Sequence, residues 1–401
     1  MRRFLLSMFL LLGLGCCQTG CWDRFEVEDL EIVQALAVER APEGRVRLYV
    51  QSISPKHMVR SSGGVTSIVS EEPYRNRSIV SDTVFEAIRD LARQSPRRLF
   101  FIPNELVLVS EAYAREVGIG EVLDIMERNP EARRIAWLAV AQGDLAALLD
   151  EPGRLVPIPS MNILEMIKRQ NLTDQFATIR VGDFIELLEN EGTQPYTGMV
   201  RLIPNEAKLQ EEVDLVPEPD LNIEMNGTAV FREDKMVGWL SPRESRGLLW
   251  LRGEVKGGRS IKVMDSLTEK PVTLQILHAK TKLRPDIREG QIYIIVDLQV
   301  ESRVVETRGP LNLGKPEVLR RLEDEQAEVI KAEIEAALTK AQQEYGVDVF
   351  GFGEVVHRHY PQEWKEMKKE WGAFFPRVQV GYQIKSIISR TGEFSRPVFR
   401  D

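Results

Sequence analysis

Cysteine is confined to the first 21 residues of this 401-residue chain, at positions 16, 17 and 21, and histidine occurs only four times. Everything after Cys21 therefore lacks an intramolecular disulfide and must be held together by its apolar cores. A thiolate or cysteine–histidine metal centre is excluded there as well. No apolar run after the first 15 residues approaches the roughly 20 residues that a membrane-crossing helix needs. A basic balance is missing too: 61 acids against 53 lysines and arginines give a net charge of −8. Removing residues 1–20, which hold two arginines and no acid, takes it to −10. That balance speaks against nucleic acid and against docking on anionic lipid through a basic face.

The N-terminus is what the chain does have. Met1-Arg2-Arg3 precedes the apolar run Phe4 to Gly15, and Cys16-Cys17-Gln18-Thr19-Gly20 leads to Cys21 and then to polar sequence. Two arginines, a short apolar stretch and a small residue before cysteine form a signal peptide of lipoprotein type. An uncleaved membrane anchor is the competing reading, and Phe4–Gly15 falls short of spanning length. Cys21 is the candidate lipidation site, carrying S-diacylglycerol and an N-acyl chain. Gly20 gives it the better cleavage junction, although Gln18 stands where a lipobox favours leucine. Cys17, with Leu14 in that place, and Cys16 stay open as alternatives.

The exported part, about 380 residues, suits two or three domains. Glu31–Val38 and Arg45–Ile53 flank Pro42-Glu43-Gly44 and read as a hairpin. A Ser/Gly/Arg-rich loop is expected from Arg60 to Arg77. Beyond it Ser81 or Asp82 caps a helix with Val84, Phe85, Ile88, Leu91 and Ala92 on one face. Leu106–Val109 and Ile135–Ala141 read as strands. Ala112–Arg128 reads as a helix breakable at Gly118 or Gly120, and Asn162–Arg169 and Asp183–Asn190 as two more helices. Pro204 to Asn222 holds six acids, one lysine and three prolines, which marks an acidic linker at 204–222.

After it comes a second hairpin, Thr228–Arg232 with Met236–Leu240 across Glu233-Asp234-Lys235. Leu274–Leu283 and the alternating Gln291–Val300 are strands joined by a turn at Pro285–Gly290. Glu317–Tyr345 carries one apolar stripe, Leu319, Leu322, Ile330, Ile334, Leu338, Ala341 and Tyr345, and Gly346 ends it. Pro361 starts a shorter helix with Trp364, Met367, Trp371 and Phe374 on one side, and Val378–Ile388 is a last strand. Antiparallel and mixed sheets packed with helices, without a repeated βαβ period, make a multi-domain α+β fold with one long C-terminal helix. The division is 1–20 signal peptide, 21–203 N-terminal α+β domain with room for two subdomains, 204–222 linker, 223–392 C-terminal α+β domain, and 393–401 tail.

Motifs for chemistry are sparse. His357 and His359 would share a face on a strand, with Glu354 or Glu363 near, but one His-x-His is a weak metal signal. Gly351-Phe352-Gly353-Glu354 lacks the third glycine and the helix start of a dinucleotide fingerprint, and reads as a tight turn turning Phe350 and Phe352 inward. No catalytic, metal or cofactor site is assigned. The Trp364/Trp371/Phe374 stripe reads as core rather than as a partner-binding face.

Several blocks resemble the Ger(x)C family of spore-germination lipoproteins. They are Gly20-Cys21-Trp22-Asp23-Arg24, then Phe101-Ile102-Pro103-Asn104-Glu105-Leu106-Val107-Leu108-Val109-Ser110-Glu111, then Gly227-Thr228-Ala229-Val230-Phe231 with Val237-Gly238-Trp239-Leu240. Asp348-Val349-Phe350-Gly351-Phe352-Gly353-Glu354, Trp364 and Trp371 close the series in the family order. Pro103 departs from the family, which often has histidine there. The resemblance implies a lipid-anchored, non-enzymatic C subunit of a germinant receptor, without a cofactor. Its partners would be a multi-span A subunit and a permease-like multi-span B subunit, at the outer face of the inner spore membrane. The complex would sense small germinants such as amino acids or sugars. It also favours Cys21 as the first mature residue. The alternative function, a solute-binding lipoprotein of an importer, would want two α/β lobes with parallel sheets.

Overall fold

The computed structural model describes residues 26–53, 73–153, 156–205, 221–255 and 257–390. Cys16, Cys17 and Cys21, the expected signal peptide, most of the 204–222 stretch and the expected 393–401 tail lie outside them. The fold is α+β, built on two sheets packed with helices.

The first sheet opens with the expected hairpin. β1 (Leu30–Arg40) and β2 (Val46–Ile53) pair antiparallel across Pro42–Gly44, with Glu43 and Gly44 both at positive φ (63° and 73°). Next to β2 lies β3 (Tyr74–Ser81). Residues 74–77 therefore belong to a strand and not to the expected loop, whose remainder to residue 72 lies outside the described residues. The polar run Arg75-Asn76-Arg77-Ser78 hid it, because an edge strand tolerates charge that a central strand would not.

The helix α1 (Val84–Arg93) is capped by Thr83, not by Ser81 or Asp82: the Thr83 hydroxyl accepts from the Glu86 amide at 3.2 Å. Val84, Ala87 and Leu91 form its buried face, while Phe85, placed on that face by sequence, is 54% exposed beneath the Arg89 guanidinium. A short strand, β4 (Arg98–Phe100), pairs parallel with the start of β1.

The centre of the sheet departs from the sequence reading. β5 (Leu106–Ser110), β6 (Trp137–Gln142) and β7 (Tyr196–Pro204) run parallel to β1, in the order β3-β2-β1-β5-β6-β7. Between β5 and β6 come α2 (Glu111–Glu116) and α3 (Gly120–Arg128), and between β6 and β7 come α4 (Leu145–Asp150), α5 (Pro159–Lys168) and α6 (Val181–Leu188). So βαβ units are present. The short helices obscure their period, but the uninterrupted apolar run of β5 is what a strand covered on both faces requires. Val107 and Val109 join one core with α1, α2, α3 and α6, and Leu106 and Leu108 join another with α4 and α5. Gly118, at φ 97°, separates α2 from α3 as expected.

β8 (Leu221–Arg232) and β9 (Lys235–Leu240) extend the same sheet, with Pro204 opposite Leu221. The acidic stretch thus connects two neighbouring antiparallel strands. From β9 the chain enters α7 (Pro242–Arg252), whose Ser241 and Glu244 form a reciprocal capping box.

The second sheet has the order β10-β11-β12-β13, with β10 (Ser260–Met264), β11 (Pro271–Arg288), β12 (Gln291–Thr307) and β13 (Gln379–Arg390). β11 runs through Pro285 to Arg288, so the expected turn shrinks to Glu289–Gly290, both at positive φ (50° and 78°). β13 pairs parallel with β12. The long helix α8 (Pro316–Thr339), continued by a π-helical turn Lys340–Tyr345 and stopped by Gly346 in the left-handed region, packs on one sheet face with α7. Gly247 makes that crossing close: a Cβ there would lie 2.1 Å from the Glu333 carbonyl oxygen. The core is completed by α9 (Phe352–His359), α10 (Pro361–Met367) and α11 (Trp371–Phe374).

Candidate functional site

The one residue to which the sequence assigns a function, Cys21, lies outside the described residues, as do Cys16 and Cys17. β1 starts at Leu30, so the anchor would reach the fold within roughly 30 Å of extended chain. Among the described residues no helix is long and apolar enough to cross a membrane, which says nothing of strands.

The histidine pair is separated by the local structure. His357 and His359 sit on α9, where residues two apart point to different sides. His357 stacks on Trp364 at 5.6 Å between centroids, and His359 Nδ1 lies 2.9 Å from the Val355 carbonyl. No group of three or more metal-ligating side chains comes together among the described residues.

Gly351-Phe352-Gly353 does open a helix, against the sequence expectation, and Asp348, three residues before Gly351, binds its amides. Asp348 is buried, and its Oδ1 accepts from the amides of Phe350 (3.0 Å) and Gly351 (2.9 Å). Oδ2 accepts from the Gly353 amide (2.8 Å) and from the Trp371 indole N–H (3.0 Å). All four partners are donors, so a carboxylate fits, and these amides of the glycine turn are already engaged by it. Burial pushes the carboxyl above the ordinary 3.8, and the donors pull the other way. Phe350, Phe352, Trp364 and Trp371 are all core, as the sequence reading has it.

Tertiary structure creates a cleft that sequence reasoning missed. It encloses about 640 Å³ between the first sheet and the α7–β10 region, and is lined by Trp137, Thr178, Tyr196, Arg252, Glu254 and Glu354 among others. Arg252 lies over the Tyr196 ring at 4.9 Å and donates to Glu254 Oε1 at 2.7 Å, while the Tyr196 hydroxyl donates to the same oxygen at 3.3 Å. Burial raises the Tyr196 phenol well above its ordinary value, so it stays a neutral donor. Behind the cleft, Arg259 and Asp174 form a buried ion pair. Desolvation raises Asp174 from 3.8 to about 7 against the pull of Arg259, and lowers Arg259. Glu333 of α8, buried beside Arg246, is raised for the same reason and accepts from the Trp250 indole at 2.9 Å. Apart from Arg252 and Glu254, the partners are distant along the chain, 58 positions for Tyr196 and Glu254 and 83 for Trp250 and Glu333, so no local motif announces them. Asp174 at positive φ (57°) is visible only in the folded backbone.

Two family models match in chain order: "Spore germination protein N-terminal domain" over residues 23–202 and "Spore germination B3/ GerAC like, C-terminal" over residues 226–392. Spore germination protein KC of Bacillus subtilis (strain 168) is 28% identical over 405 residues, covering 99% of this chain and 98% of that one. Spore germination protein B3 of the same strain is 24% identical, with 97% and 98% covered. Spore germination protein GerQC of Bacillus cereus is 21% identical, with 92% and 95% covered. The crystal structure of the GerBC protein matches with a TM-score of 0.57 at 20% identity, over 88% of this chain and 96% of that chain. At that identity the likeness shows the fold.

Proposed function

The chain belongs to the Ger(x)C family of spore-germination proteins, and from that premise we propose that it is the lipid-anchored C subunit of a germinant receptor. The observation that carries the reading is likeness over nearly the full length, in both halves and in order, to relatives named as spore germination proteins. The subunit is not an enzyme on this reading, and its role is to bind and position partners. Those partners are the multi-span A and B subunits, at the outer face of the inner spore membrane.

Anchoring rests on the leader and on Cys21. Two or more acyl chains give a stable attachment where one gives a marginal one. The tether then holds the soluble part at high effective concentration beside membrane partners. The division of the chain at 204–222 is part of the same proposal, supported by the gap between the two family matches.

The test is co-purification of the tagged protein from spore membranes. Two multi-span germination proteins in stoichiometric amount are the expected companions; an ATPase and a permease would point to an importer instead. Spores lacking this chain and its paralogues should fail to respond to at least one small germinant. A normal response to every germinant would refute the reading.

A further inference from the structure

The second sheet has one covered and one open face. Ile292, Ile294, Val296, Leu298 and Val300 of β12 turn inward to α7 and α8, and the residues between them turn out. β11 alternates likewise beyond residue 277, and β13 beyond residue 379. On the open face Lys280, Gln299 and Lys385 form one row across β11, β12 and β13, and Arg284, Ile295 and Gly381 form another. Lys282, Arg303 and these cations outnumber Asp297 and Glu301, while Arg288 and Asp286 are paired with each other at 2.6 Å. A chain with an acidic balance thus turns a basic surface outward here.

β13 also ends the sheet. Among the described residues no strand lies beyond it, although it runs twelve residues from Gln379 to Arg390. Long open edges are normally shortened, bulged or covered, because their amides and carbonyls recruit another strand. One edge amide, that of Ile388, already takes a carboxylate, Glu323 Oε1 of α8, at 2.8 Å. Gly381 adds a notch: a Cβ there would meet nothing within 4 Å, and Ile295 lies beside it in register.

We infer that β13 is a docking edge for an extended, acidic segment of a partner protein, added as a fifth strand. Its backbone would pair with the edge, a large apolar side chain would cross Gly381 onto Ile295, and an acid four residues away would meet Lys385. An anionic membrane would answer the lysines but leave the backbone edge unmatched. That is why a polypeptide fits better. The inference does not depend on Cys21 carrying lipid.

The full-length chain in detergent would be titrated with a labelled octapeptide that alternates threonine with leucine, valine and two glutamates. Saturable binding is expected, with new hydrogen-exchange protection confined to residues 379–388. N-methylating alternate peptide amides should abolish it. Lys385→Glu should weaken it roughly tenfold, as expected when a favourable exposed pair becomes a repulsive one. Gly381→Val fills the notch at an exposed strand position that β-branched residues favour, so the protein stays folded and binding should fall. Equal binding of methylated and unmethylated peptides, or of Lys385→Glu and wild type, would overturn the inference. So would protection of this face by phosphatidylglycerol vesicles, relative to phosphatidylcholine ones, without any peptide binding.

Discussion

Asp348→Asn keeps the size of a side chain while removing one of its two acceptors, and the surroundings allow a magnitude to be worked out. In the native protein each carboxylate oxygen accepts two hydrogen bonds, from Phe350 and Gly351 on one side and from Gly353 and Trp371 on the other. Whichever way the asparagine amide turns, its NH₂ faces two N–H donors. Two charge-assisted bonds are lost, each worth about 1.5–3 kcal/mol, and the start of α9 loses an anion worth about 0.5 kcal/mol or more. The expected loss is about 3–6 kcal/mol, large against the 5–15 kcal/mol that holds a typical domain. Urea unfolding followed by tryptophan fluorescence reads it, since Trp371 is one of the four partners. Trp371→Phe removes one such bond, about 1.5–3 kcal/mol, and leaves a small gap beside it, so it should cost about half as much. An Asp348→Asn protein within 1 kcal/mol of wild type would refute the idea that this carboxylate organises the α9–α11 region.

Gly247→Ala should be costly although alanine favours helices, because its Cβ would lie 2.1 Å from the Glu333 carbonyl and 2.7 Å from the Ala337 Cβ; a loss of about 1–3 kcal/mol or more is expected from overpacking, and an unchanged melting temperature would count against so close a crossing. Asp174, raised from 3.8 to about 7, binds a proton more readily folded than unfolded. Its contribution therefore favours the fold at low pH, declines as pH rises between about 4 and 7, and is flat above that, by at most about 4 kcal/mol. Asp174→Asn should remove that slope from urea midpoints taken between pH 4.5 and 8, values spanning roughly the window of one titration; a slope identical to wild type would mean the burial argument is wrong. Cys21→Ala should abolish lipid labelling and release the protein from membranes, whereas persistent labelling would move the site to Cys16 or Cys17.

Much of the architecture is legible where one strong local pattern governs an element. The β12 alternation, the α8 stripe with Gly346 behind it, the Pro42–Gly44 turn and the break at Gly118 are all present where periodicity or punctuation puts them. Expectations failed where a neighbour altered the rule. β3 is polar because it is an edge, and Phe85 stays exposed because Val84, Ala87 and Leu91 form the face of its helix that packs on the core. His357 and His359 lose their shared face once Asp348 caps a helix where a turn was expected.

By itself the sequence determined the α+β class with its long C-terminal helix and the family likeness, because each is written in local order: period of two or 3.6, motifs in series. Only the tertiary structure decided that β8 and β9 complete the first sheet, that Asp174 and Arg259 meet behind a cleft, and that β13 is left as an edge. Those outcomes depend on which distant segments pair and which faces remain uncovered. Burial, the shifts in proton affinity that burial causes, and open sheet edges are properties of neighbours in space, which no spacing along the chain records.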